Sequence, residues 1–159
     1  MRAFRRKSAG YEAAFAPEEA RLIVQLTEQI GAMLAEPAAG DAAVLRLLPD
    51  AYPSDAEAAA EFRRFTAEGL AERKVLNGQT VATSLAEASA ATSATKVRLD
   101  EQQAQAWIRA ISDIRLTIAS RLGIERDDDR PNADEPLGEI YDWLAFVQES
   151  LVVAMQGRL

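Results

Sequence analysis

From residue 17 onward, the apolar residues of this chain return every third or fourth position, the spacing that lines one face of an α-helix. Leu22, Ile23, Leu26, Ile30, Met33 and Leu34 form the first such stripe. Pro17 opens it, with Glu18 and Glu19 facing the positive end of the helix dipole, and Pro37 closes it, which predicts a helix over 17–36. The stretch from Ala38 to Tyr52 reads as a loop anchored by Leu45, Leu47 and Leu48. Ser54 and Glu57 make a capping box for a short helix over 55–65, with Phe62 and Phe65 on one side. Thr66 caps a longer one over 67–90. Asn77-Gly78 would be a turn signal elsewhere, yet Leu70, Val81, Leu85 and Ala88 keep a helical period across it, so the pair is a weak point inside one helix rather than a break.

Asp100 and Gln103 form another capping box, and the helix they open, 101–122, is terminated by Gly123. The last helix, 137–156, is the most apolar. Leu137, Ile140, Tyr141, Leu144, Val147, Leu151, Val152 and Met155 line one broad face, as a helix in the middle of a bundle requires, with Trp143 on its flank. On the opposite side Phe146 and Val153 interrupt Asp142, Glu149 and Gln156. Near the start, Ala3-Phe4-Arg5-Arg6 and Tyr11 to Phe15 flank the turn-like Lys7-Ser8-Ala9-Gly10, predicting a hairpin over 1–16. Val97 and Leu99 alternate with Lys96 and Arg98 and predict a third short strand beside it. The expected fold is mainly α, a bundle of about five helices with a small N-terminal hairpin, in one domain over 1–159. A hydrophobic share of 48%, leaning on alanine and leucine, supports both the core and the helices.

Charge narrows the range of partners. With 18 basic against 25 acidic residues, the net charge of -7 opposes loose association with nucleic acid or an anionic membrane. Phosphate contacts would need a local basic patch, and Arg2, Arg5, Arg6 and Lys7, with Arg63 and Arg64, are the candidates. No apolar signal segment follows the first charges and no window reaches a membrane-spanning length, so the expected location is the cytoplasm.

The chain contains no histidine and no cysteine. That removes the side chain that titrates near neutral pH, the thiolate nucleophile and the thiol redox switch. The residues from Ile124 to Pro136 are crowded with acids, but a calcium loop fails on register: counted from Asp127, Asn132 stands where the turn glycine belongs and Gly138 where the bidentate glutamate belongs. No glycine-rich phosphate loop and no nucleophile elbow occurs. Asp142 and Glu149 share a helix face, where paired carboxylates are ordinarily solvated rather than catalytic. No metal site, cofactor or catalytic residue is expected.

Polar residues projected onto apolar faces are the remaining site candidates. Arg115 falls between Ile111, Ile118 and Leu122, while Lys74 and Asn77 fall among Leu70, Val81 and Leu85. A buried cation requires a partner, and Asp142, Glu149 and Glu61 are the carboxylates proposed for it. The network reads either as a structural one or as an anion or ligand pocket. Leu116, Phe146 and Val153 project away from the main apolar faces and are candidates for self-association as a homodimer.

Leu47-Leu48-Pro49-Asp50-Ala51-Tyr52, Glu61 to Thr66, Trp107 followed by Ile111 to Leu116, Arg121-Leu122-Gly123-Ile124, Tyr141-Asp142-Trp143-Leu144 and Gln148-Glu149-Ser150-Leu151 succeed one another along nearly the whole chain. In this order they resemble an actinobacterial family, domain of unknown function number two-thousand-and-seventeen. Ser112 and Ile114 depart mildly from its pattern, where asparagine and leucine are expected. The resemblance implies no catalytic residues; some members carry the label of transcriptional regulators. The expected function is that of a non-enzymatic regulatory or protein-interaction protein, with a DNA-associated transcriptional regulator and a small-anion or ligand-binding protein as alternatives.

Overall fold

The computed structural model describes residues 1–49, 57, 68–126, 129 and 135–157. Its elements are β1 (Arg2–Lys7), β2 (Gly10–Phe15), α1 (Pro17–Ala35), α2 (Ala42–Leu47), α3 (Glu68–Ser84), α4 (Ala86–Ala90), β3 (Thr95–Leu99), α5 (Glu101–Leu122) and α6 (Pro136–Met155). The fold is mainly α with a three-stranded antiparallel sheet in the order β1-β2-β3. The hairpin turns through Ser8 and Ala9 into Gly10, whose φ of 130° suits only glycine. A Cβ there would also lie 2.1 Å from the Leu99 carbonyl oxygen.

Several helix ends follow the sequence signals. Asp100 accepts from the Gln103 N–H at 2.8 Å while the Gln103 side chain accepts from the Asp100 N–H at 2.9 Å, and Gly123 closes α5 in the left-handed conformation at φ 70°. At α1, Glu19 accepts from the Ala16 N–H ahead of Pro17.

Three expectations are corrected. The stretch from Ala38 to Tyr52 is not all loop: Asp41 accepts from the Ala43 N–H at 2.9 Å and starts α2, which buries Ala43 and Leu47. The segment from Glu68 to Ala90 is two helices, divided at Leu85 and not at Asn77-Gly78. Leu85 lies fully buried at φ -96°, ψ -2°, and the Ser84 hydroxyl turns back to the Val81 carbonyl. Finally, α5 rather than the most apolar helix α6 is central. It touches α1, α2, α3, α6, β2 and β3, whereas α6 lies against α5, β1 and β2. Two apolar neighbours, a helix and the hairpin, satisfy the broad stripe of α6.

The core sits between the inner side of the sheet and α5. Phe4, Phe15 and Trp107 meet there with ring centroids 5.5 to 5.9 Å apart, two of the three pairs edge to face. The buried indole donates to the Ser84 hydroxyl at 2.9 Å, linking the break after α3 to the central helix.

Candidate functional site

Lys74 does project inward, as its position in the helical period requires. Its ammonium lies 2.6 Å from Asp113 of α5, a carboxylate that the sequence reading did not single out. Asp113 falls on the same stripe as Ala106, Ala110 and Ile114, and that periodicity was the signal available. Burial raises the Asp113 carboxyl above the usual carboxylate range, an effect that its bond to Lys74 opposes without cancelling. Beside the pair, a groove of about 710 Å³ runs between α3 and α5, lined in part by Arg73, Asn77, Arg109 and Ser112. Asn77 is half-buried in its wall.

Arg115 is half-buried, and its partner is not the expected acid. Its Nη1 donates to the Gln148 side-chain carbonyl at 3.0 Å, and its guanidinium lies 4.6 Å from the centre of the Tyr141 ring. Gln148 also donates to the Ile108 carbonyl at 3.1 Å and to the Ser112 hydroxyl at 2.6 Å. Residue 148 faces α5, while Glu149, one residue or about 100° further round the helix, is exposed. Asp142 is exposed too, and neither acid forms an ion pair with Arg115. Glu61 lies outside the described residues, as do Arg63 and Arg64. The inward polar groups therefore divide into two clamps, Lys74 with Asp113 joining α3 to α5, and Arg115 with Gln148 joining α5 to α6.

Among the described residues, two surfaces carry the other candidates. Arg2, Arg5 and Lys7 are exposed on β1 and border a depression of about 430 Å³ that Lys96 of β3 also lines. Arg6 faces the other way, with its guanidinium beside Gly157 at the C-terminal end of α6, where a cation is favoured. On the helices, Leu116, Phe146 and Val153 are 42%, 47% and 40% exposed. Leu137, expected in the apolar stripe of its helix, is also exposed.

The acidic stretch before α6 is described only in part. Asp129 accepts from the Glu125 and Arg126 N–H groups, each at 2.9 Å, which lowers its carboxyl below the usual range. Among the described residues no group of three or more acidic side chains gathers as a metal site would require.

The family model for a domain of unknown function, DUF2017, matches residues 1–155. The protein named oxidative stress regulator AosR in Mycobacterium bovis is 30% identical over 130 residues, covering 74% of this chain and 60% of that protein. Its counterparts of the same name in Mycobacterium tuberculosis match equally. The chain thus spans 60% of the length of these curated relatives. No solved structure matches it.

Proposed function

The chain belongs to the DUF2017 family, and from that premise we propose that it is a non-enzymatic regulatory protein of the cytoplasm that works by presenting a contact surface. The observation that carries this reading is the exposed pair Phe146 and Val153, seven residues apart on one side of a helix whose other sides are packed on α5 and the hairpin. The inward polar groups join helices: Lys74 pairs with Asp113, and Gln148 bonds both Arg115 and Ser112. Support for regulation comes from the mycobacterial relatives, which are named oxidative stress regulators.

A second copy of the chain is the occupant we propose for this surface. A twofold contact lets one patch serve both subunits, the commonest way that such residues are covered. Response to oxidants would have to come from outside this chain's thiol chemistry, since it has no cysteine.

The test is genetic. A host lacking the protein should show an altered set of transcripts after peroxide challenge, restored by the wild-type chain and not by a Phe146→Glu, Val153→Glu variant. An unchanged transcript profile would overturn the regulatory reading, and full restoration by the variant would remove the surface from it.

A further inference from the structure

The sheet presses its aromatic side against the helices, and among the described residues no helix covers its other side. Arg2 stands opposite Ala14 and Ala14 opposite Lys96; Arg5 stands opposite Glu12 and Glu12 opposite Arg98; Lys7 stands opposite Gly10. Directly opposed residues share a face. Strict alternation would send Arg2 and Arg5 to opposite sides, but the bulge between them sets two residues of β1, Ala3 and Phe4, against one of β2, Ala13, and returns Arg5 to the side of Arg2.

The result is one face carrying Arg2, Arg5, Lys7, Lys96 and Arg98, all exposed. From the rise and spacing of strands it measures about 17 Å by about 10 Å. Glu12 in its centre lies 3.4 Å from Lys96 and 2.9 Å from Arg98, and so fixes the two cations of β3 in place. With this face set aside, 13 basic residues oppose 24 acidic ones in the rest of the chain. Positive charge is gathered on one surface of a protein that is otherwise strongly negative.

We propose that this outer sheet face binds the phosphate backbone of duplex nucleic acid. The inference stands apart from the contact surface on α6 and needs neither it nor a dimer. Two absences on the face choose the ligand. Phe4, Tyr11 and Phe15 are buried on the other side, so among the described residues no aromatic ring is presented for the stacking that holds unpaired bases. Among the described residues the exposed large apolar ones, Leu45, Leu76, Leu116, Leu137, Phe146 and Val153, lie on helices, so none of them gives the face a buried anchor of the kind that dominates protein interfaces. Small residues, Ala14 and Gly10, fill the positions between the cations and let a backbone approach. Such a site recognises phosphates without reading sequence.

Fluorescence anisotropy with a labelled 24-base-pair duplex of arbitrary sequence tests this. With about four net phosphate contacts, affinity should fall roughly a hundredfold between 50 and 200 mM salt. An Arg5→Gln, Lys7→Gln, Lys96→Gln variant should bind at least tenfold more weakly at 50 mM and lose about 2.7 from the slope of log affinity against log salt. An Arg73→Gln, Arg109→Gln variant, which removes two exposed cations elsewhere, should bind like the wild type. Circular dichroism melting confirms that each variant is folded. No duplex binding at 50 mM, equal loss in both variants, or tighter binding of a single strand or of polyglutamate than of the duplex would each overturn the proposal.

Discussion

Lys74 and Asp113 show how far one residue's position predicts its chemistry. The inward projection of Lys74 was legible in the helical period; its partner was not, because the choice among carboxylates depends on which helices meet and at what height. Replacing Lys74 alone with methionine leaves Asp113 buried without its cation and should cost about 3 to 5 kcal/mol in urea unfolding. Replacing both, Lys74→Met with Asp113→Leu, should restore most of that loss. A double variant as unstable as the single would show that the pair contributes more than mutual neutralisation. Carboxylates also set the acid response. Asp41 is held below the ordinary range first by the Arg121 guanidinium, at 2.9 Å, and then by the Ala43 N–H, and Glu12 first by Arg98. The unfolded chain binds these protons more readily, so their stabilisation is complete above the ordinary carboxylate pKa of about 4 and is lost as pH falls below it. Asp113 has the opposite sign, since its raised pKa makes the folded state bind the proton more readily and stability fall as pH rises through that window. Urea midpoints from pH 7 to pH 3 should therefore fall less steeply for Asp41→Asn than for the wild type, and an equal fall would remove Asp41 from the acid response.

At the scale of elements, the long periodic helices were readable and the short interruptions were not. α2 has six residues, too few for a period to establish itself, and only its cap Asp41 signals it. The division at Leu85 depends on a buried leucine and on Ser84 receiving the Trp107 indole, contacts made far along the chain. The bulge in β1 has no sequence signature in this chain, and it alone decides that Arg2 joins the basic face. Asn77-Gly78 is the converse case, a turn signal overridden by its surroundings: Gly78 lies within α3, and a Cβ there would meet Thr27 at 3.5 Å, an ordinary van der Waals contact. Gly78→Ala should accordingly stabilise the protein by about 0.5 to 1 kcal/mol, the cost of glycine in a helix interior. A lower melting temperature for this variant would mean that α1 and α3 approach each other too closely for the added methyl.

For the molecule as a whole, the helices and the sheet serve different surfaces. α5 organises the interior, the two polar clamps tie α3 and α6 to it, and the two surfaces proposed for partners lie outside: a basic sheet face and an apolar line on α6. Phe146 and Val153 were visible in the sequence as outward projections and Arg2, Arg5 and Lys7 as part of a basic run, but the joining of that run with Lys96 and Arg98 on one face required the register of the strands, and the exposure of the apolar line required the placement of α6 at the periphery. Sedimentation velocity at tens of micromolar, comparing the wild type with the Phe146→Glu, Val153→Glu variant, tests most directly the claim that this is a protein built to make contacts. A dimeric wild type beside a folded, monomeric variant is the predicted result. Monomers in both cases, with the variant unfolded, would place Phe146 and Val153 among the residues that hold the fold together and contradict the account.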